Sequence, residues 1–246
     1  MRIKDAINKG AVWLKRGQRR PQRIRRVTEA LIVGDRVNLN YDEKILANEP
    51  PAAYCIADQI HYSVWHKPAG LMVEGSRFGD HATLARQIER HFPKRWCFMI
   101  HRLDREASGL ILVAHKPNAA ARLSELFQQR EIVKEYLIEV RGDLRTQGAN
   151  TRIDLALDGK NCVTDYEILG YLPEQDTTRV RVIPQTGRYH QIRRHFAAIG
   201  FPVLGDPKYG QHNADPRGLR LIATRLSFRC PWTGNRMDFR NDSDEN

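Results

Sequence analysis

Apolar residues fall in short runs separated by turn residues, and the spacing within each run predicts its conformation. Tyr62 to Trp65 reads as a strand, broken by Lys67-Pro68-Ala69-Gly70. Thr83 to Phe92 reads as a helix. Gly109 to Ala114 (GLILVA) is almost wholly apolar, as expected of a buried strand. Pro117 stands where a helix begins, and Leu123, Leu126 and Phe127 then recur at helical spacing. Tyr136, Ile138 and Val140 alternate with more polar neighbours, the pattern of a half-buried strand, and Val180 to Ile183 forms another. After a turn at Gln185-Thr186-Gly187, Tyr189, Ile192, Phe196 and Ile199 mark one face of a helix that stops at Gly200. Strands and helices are mixed without regular βαβ alternation. The fold class expected is therefore α+β, with a mixed, mostly antiparallel central sheet flanked by helices.

The first fifty residues differ from the rest. Lys15 to Arg26 (KRGQRRPQRIRR) is densely basic, with Ile24 its only large apolar residue. The apolar run Ala11 to Leu14 precedes it and Val27 to Val33 follows. Gly34-Asp35 then turns into a short strand carrying Val37 and Leu39. Apolar flanks on both sides favour a small folded module that lays arginines on phosphates over a flexible arm. Asn48-Glu49-Pro50-Pro51 punctuates the chain, so the domains expected are 1–50, a small basic module, and 51–240, a larger domain. Residues 241–246 (NDSDEN) read as a frayed polar, acidic tail.

Charge changes the picture. Lys and Arg number 40 against 29 acidic residues, a net +11, which draws a protein toward polyanions. No apolar run approaches the roughly 18 to 20 residues that span a bilayer, and no signal-peptide stretch opens the chain, so a cytoplasmic protein without membrane contact is expected. Cys55, Cys97, Cys162 and Cys230 are scattered, which indicates neither a zinc site nor a disulfide framework. A G-x-G-x-x-G fingerprint is missing, so no nucleotide cofactor is expected.

Candidate chemistry concentrates in two segments. Ile100 to Val113 (IHRLDREASGLILV) sets His101, Arg102, Asp104 and Arg105 directly before the buried strand. A carboxylate among arginines is either a surface ion-pair cluster or a carboxylate kept ionised as nucleophile or base. Gln185 to His195 (QTGRYHQIRRH) carries Arg188, His190, Arg193 and Arg194 on a helix start, either a phosphate-holding site or a solvated basic face. His190 and His195 are five apart, poor spacing for two metal ligands on one helix face, and no metal is expected. Tyr136 is either core or a face for stacking on a flipped base.

HRLDREASGLILVA resembles the signature of the RluA branch of the RNA pseudouridine synthases, HRLD-x-x-TSG-LLL. KPAG (67–70), KEYLIEVRG (134–142), QTGRYHQIRRHFAAIGFPVLGDPKYG (185–210) and LIATRLSF (221–228) resemble further segments of that family, in family order. Ala107, Tyr189 and Ile222 depart from the usual Thr, Thr and His. The N-terminal region resembles, in truncated form, a small RNA-binding module shared with ribosomal proteins. The resemblance implies a pseudouridine-synthase catalytic domain that isomerises a uridine in ribosomal or transfer RNA without cofactor or metal, as a monomer. It implies Asp104 as nucleophile. Attack on the sugar, attack on the base and removal of a sugar proton all start from such a carboxylate. Arg193 would pair with Asp104 and fix its direction. Tyr136 would stack on the uracil and take part in proton transfer. Arg102 would fill the gap or hold the flipped nucleotide's phosphate, Leu221 would pack under the base, and Lys67, Arg188 and His190 would touch RNA. The competing classes are a non-catalytic RNA-binding protein on the same fold and a hydrolase using His101 and Asp104 with a metal.

Overall fold

The computed structural model describes residues 2–148 and 151–241. In chain order its elements are α1 (Arg2–Asn8), β1 (Val12–Lys15), β2 (Gln22–Ile24), β3 (Arg36–Leu39), α2 (Glu43–Leu46), β4 (Tyr54–Asp58), β5 (Tyr62–Lys67), α3 (Leu84–His91), β6 (Phe98–Met99), β7 (Ser108–Ala114), α4 (Pro117–Gln128), β8 (Val133–Arg141), β9 (Arg152–Asp154), β10 (Val163–Leu172), β11 (Thr177–Pro184), α5 (Gln191–Ala198), β12 (Leu221–Arg229) and β13 (Arg236–Arg240). Among the described residues no helix is long and apolar enough to cross a membrane.

The main sheet runs β4-β5-β7-β12-β8-β11-β10-β9, with β6 beside β7 and β13 beside β12. Its pairings are antiparallel except between β7 and β12, which run parallel over Ser108–Gly109 and Ile222–Ala223. This seam demands a glycine. Gly109 has φ +105, and a Cβ there would lie 2.2 Å from the Ala223 carbonyl oxygen. The α+β reading with a mixed, mostly antiparallel sheet therefore holds.

Register decides which side chains meet. Tyr136 of β8 faces Ala223 of β12 and Val182 of β11, while Ile138 faces Leu221. Directly opposed residues share a face, as do residues two apart. Tyr136, Ile138, Leu221 and Ala223 thus lie on one face of the sheet. Ile192 and Phe196 of α5 belong to the core cluster built on that face, and full burial of such a side chain contributes about 1.5–3 kcal/mol. Beyond α5, Gly200 takes φ +88 and the Phe201 N–H reaches back to the Phe196 carbonyl at 2.9 Å, closing the helix where the sequence placed its stop. At its other end the helix departs from expectation. His190 caps it in the left-handed region, φ +52, so α5 starts at Gln191 and Tyr189 lies off the buried face, 53% exposed.

The N-terminal segment forms its own three-stranded sheet, β2-β1-β3, over a small core of Ala6, Ala11, Val12 and Leu46. It rests on the loop before α3. Trp13 Nε1 donates to the Arg77 carbonyl at 3.0 Å, the Asp80 N–H donates to the Lys9 carbonyl at 3.0 Å, and Arg23 and Arg25 both pair with the Asp80 carboxylate. The run Val27 to Val33 does not form the packed flank expected of it: Leu31, Ile32 and Val33 stand in solvent. Polar contacts fix that turn instead, because the Asp35 carboxylate accepts from Ile32 N–H and from Arg16 Nε. Asn241, expected in a frayed tail, is buried, and its N–H donates to the Thr224 carbonyl at 2.9 Å. Residues 242–246 of that tail lie outside the described residues.

Candidate active site

Two anchors hold the loop from His101 to Glu106 where it enters β7. His101 Nε2 accepts the Leu112 N–H at 2.9 Å, and loss of water around the ring pushes its pKa down to about 3. The imidazole is therefore a neutral acceptor tied to the strand. The second anchor is Lys67, which is fully buried. Its ammonium donates to the carbonyls of Leu71 (2.9 Å), Pro68 (3.0 Å) and Arg105 (3.1 Å), which satisfies its donors. Burial pushes its pKa down to about 8, against the nearby charges of Glu106 and Asp104. The expectation that Lys67 touches RNA is corrected here: the ammonium has no path to a ligand and instead clamps the loop beside Asp104.

Asp104 meets α5 at the centre of the site. Arg193 Nη1 donates to Asp104 Oδ2 at 3.0 Å, and His190 Nε2 lies 3.6 Å from Asp104 Oδ1. The Arg193 side chain is 1% exposed, so it is no part of a solvated basic face. Its other two nitrogens are held in a fork by Asp206, Nε to Oδ2 at 2.7 Å and Nη2 to Oδ1 at 2.8 Å. Burial works against the Arg193 charge, but the hydrogen bonds it donates to Asp206 and Asp104 outweigh it and raise the pKa. Asp206 is anchored in turn, its Oδ1 accepting the N–H groups of Lys208 (2.8 Å) and Tyr209 (3.0 Å). His190 is held toward the neutral form by burial, with Asp104 opposing that shift and Arg193 reinforcing it. Its Nδ1 lies 3.2 Å from the Tyr209 hydroxyl.

Asp104 opens into a cavity of about 840 Å³. Tyr136, Leu221, Arg102, Arg188, His190 and Arg193 line it as well; Lys67 does not. Among the described residues Asp104 is the one carboxylate of the lining, while Arg102, Arg130, Lys134, Arg188 and Arg193 contribute five cations. Burial, with the Asp104 charge adding to it, raises the Tyr136 pKa, so the phenol stays protonated at neutral pH. Such a cavity attracts a polyanion and offers it one fixed carboxylate, the aromatic rings of Tyr136, Tyr189 and Phe127, and apolar side chains such as Leu221. A family model described as RNA pseudouridylate synthase matches residues 61–198, and the cavity is lined mainly from that span.

The chain belongs to the RluA-type RNA pseudouridine synthase family.

Two curated relatives illustrate the match. The dual-specificity RNA pseudouridine synthase RluA of Haemophilus influenzae is 34% identical over 200 residues, covering 75% of this chain and 90% of the relative. The protein of the same description from Escherichia coli K12 is 34% identical over 202 residues, with the same coverage. Among solved structures, human RNA pseudouridylate synthase domain containing 1 superposes with a TM-score of 0.64 at 25% identity, covering 79% of this chain and 86% of that one. Membership makes the chain an isomerase of the RNA pseudouridine synthase class.

Sequence reasoning missed two residues that the synthase site depends on. Asp206 sits in the GDPKYG stretch of the family-like segment, and only the tertiary fold brings it to Arg193. Its approach requires Gly205, φ +74, where a Cβ would lie 1.9 Å from the Gly218 carbonyl oxygen. Gln191 is the other. It accepts from Thr186 Oγ1 (2.8 Å) and Arg188 N–H (3.0 Å) and donates to Val163 O and Thr164 Oγ1 (both 2.9 Å), tying the cavity-edge turn to β10. Of the two residues in the metal-hydrolase alternative, His101 is tied by its Nε2 to the backbone N–H of Leu112.

Proposed function

We propose that this synthase isomerises one uridine of a structured RNA, ribosomal or transfer, with Asp104 as nucleophile and the target base flipped into the cavity. One observation carries the reading. The one carboxylate that, among the described residues, lines a cation-rich cavity is held at 3.0 Å by an arginine that a second, buried carboxylate fixes in place. The reaction needs no net redox change. The bond from uracil N1 to the sugar breaks, a bond from uracil C5 to the same sugar carbon forms, N1 gains a proton and C5 loses one. The reacting atoms are out of reach inside a stacked helix, so the uridine must leave its stack. Tyr136, as a neutral phenol, supplies the stacking face and takes part in moving the proton; Leu221 packs under the base. Arg102, exposed at the cavity edge, fills the vacated space or takes the flipped nucleotide's phosphate, and Arg188 and His190 contact the RNA nearby.

Residues 1–50 act as an RNA-binding module, and 51–240 as the catalytic domain. Arg19, Arg20 and Arg26 are exposed on the small N-terminal unit and would add sequence-independent phosphate affinity. The working unit of this reading is a monomer in the cytoplasm. The test is tritium release from RNA labelled at uracil C5, prepared from a strain lacking this protein, with chelator present. Release by wild type and none by Asp104→Asn is expected. Release by both variants would show Asp104 to be the wrong residue, and no release from either ribosomal or transfer RNA would favour a binding protein.

A further inference from the structure

Tyr189 stands where the resembling family segment usually carries Thr, and its surroundings differ from those of an ordinary exposed tyrosine. Its ring stacks on the His190 ring at a centroid distance of 3.7 Å and an interplanar angle of 21°. Yet the residue is 53% exposed and lines the cavity. Two cations attend the ring, the Arg102 guanidinium carbon at 5.8 Å and Lys208 Nζ at 5.5 Å from the centroid. The left-handed backbone of His190, φ +52, accounts for this placement, since it ends the run into α5 one residue after Tyr189. Bulky residues adopt that region at a cost, which is a reason to look for function at the turn.

The ring contacts place the ligand. His190 meets Tyr189 across its ring face, with centroids 3.7 Å apart, and turns its Nε2 edge to Asp104 Oδ1, 3.6 Å away. A base on Tyr189 would therefore lie beside the one at Asp104, with His190 bridging the two positions. Aromatic rings beside cations bind single-stranded bases by stacking, with the cations taking the backbone. Arg102 and Lys208 stand over the ring at cation–π range, and a base stacking on Tyr189 would turn them toward the phosphates.

We propose that Tyr189 is the stacking platform for the nucleobase adjoining the target uridine, with Arg102 and Lys208 on the phosphates beside it. This rests on the RNA substrate proposed above. Because a purine presents more π surface than a pyrimidine, the platform favours a purine at that neighbour. A threonine there could not do this.

The experiment uses the full-length protein and hairpin RNAs that carry the target uridine with a purine or pyrimidine on its 5′ or 3′ side. A second set carries 2-aminopurine at each of those positions. On wild-type protein, quenching of 2-aminopurine on one side is expected. Tyr189→Ala should abolish that quenching and raise KM for the purine-flanked RNA roughly 5- to 150-fold, the range of one base–aromatic stack. It should leave kcat largely intact. Tyr189→Phe should behave as wild type, and Tyr189→Thr as the alanine variant. Unchanged quenching and KM in Tyr189→Ala would overturn the inference while leaving the proposed function standing. An equal fall in kcat for every neighbour, with KM unchanged, would also overturn it, making Tyr189 a prop for His190. The fluorescence reading does not need turnover, so it decides the stacking even if wild type releases no tritium, the result that would instead count against the proposed function.

Discussion

In α5, Arg193 is buried and divides its guanidinium between Asp206 and Asp104. In the basic stretch 15–26, Arg19, Arg20 and Arg26 stand in solvent, while Arg23 and Arg25 share Asp80 at the junction with the larger sheet. The side chain is the same and its physical work differs. A buried fork fixes direction, because Nε and Nη2 are committed to Asp206, Nη1 donates to Asp104 and water cannot replace these partners. An exposed guanidinium supplies charge, which salt screens and geometry barely constrains. Local density of arginine does not separate the two; burial and a facing carboxylate do.

The sharpest break in this comparison is Asp206→Ala. It strands the Arg193 fork in a buried position, which costs about 3–5 kcal/mol. Thermal unfolding should fall by roughly 6–20 °C, whereas Asp80→Ala, whose partners Arg23 and Arg25 are less buried than Arg193, with side chains 13% and 32% exposed, should cost less. Lys67 extends the contrast to a buried cation held by carbonyls rather than by a carboxylate. Its folded pKa, about 8, lies below the 10.5 of a free lysine, so holding it charged costs stability below pH 8 and that cost fades as pH rises to 10.5. Relative to Lys67→Met, wild type should therefore gain up to about 3 kcal/mol across that window in denaturant titrations; a flat difference would remove the penalty. Third, Arg193→Lys keeps the charge and loses the fork. It should cut kcat about 100-fold through misplacement of Asp104, with RNA affinity retained. The smallest effect belongs to the exposed set. Changing Arg19, Arg20 and Arg26 to Lys should do nothing measurable. Changing them to Ala should reduce the slope of log affinity against log salt by about 2–3 and leave kcat alone.

The elements that could be read along the chain are those whose cause is local. β7 is a continuous apolar run, Thr83 caps α3 by accepting from Arg86 N–H, Pro117 opens α4, and Gly200 closes α5. What escaped has a tertiary cause. Tyr189 matches helical spacing, but one left-handed residue at His190 takes it out of the helix. Lys67 looks like a surface cation until three carbonyls converge on it. Asp206 becomes part of the site only through a turn that brings a glycine against Gly218. Leu31 to Val33 look like core, yet no element of the small N-terminal sheet covers them. At the site the resemblance already implied the pairing of Asp104 with Arg193, and the fold added Asp206, which holds the arginine in place.

The most direct test of Asp104 as the reacting group is to measure RNA binding and tritium release on one preparation of Asp104→Asn. The substitution keeps the shape and removes the single negative charge from a cavity lined by five cations. The account predicts binding at least as tight as wild type and release reduced by orders of magnitude. Release near the wild-type rate would contradict it and move the chemistry to another residue.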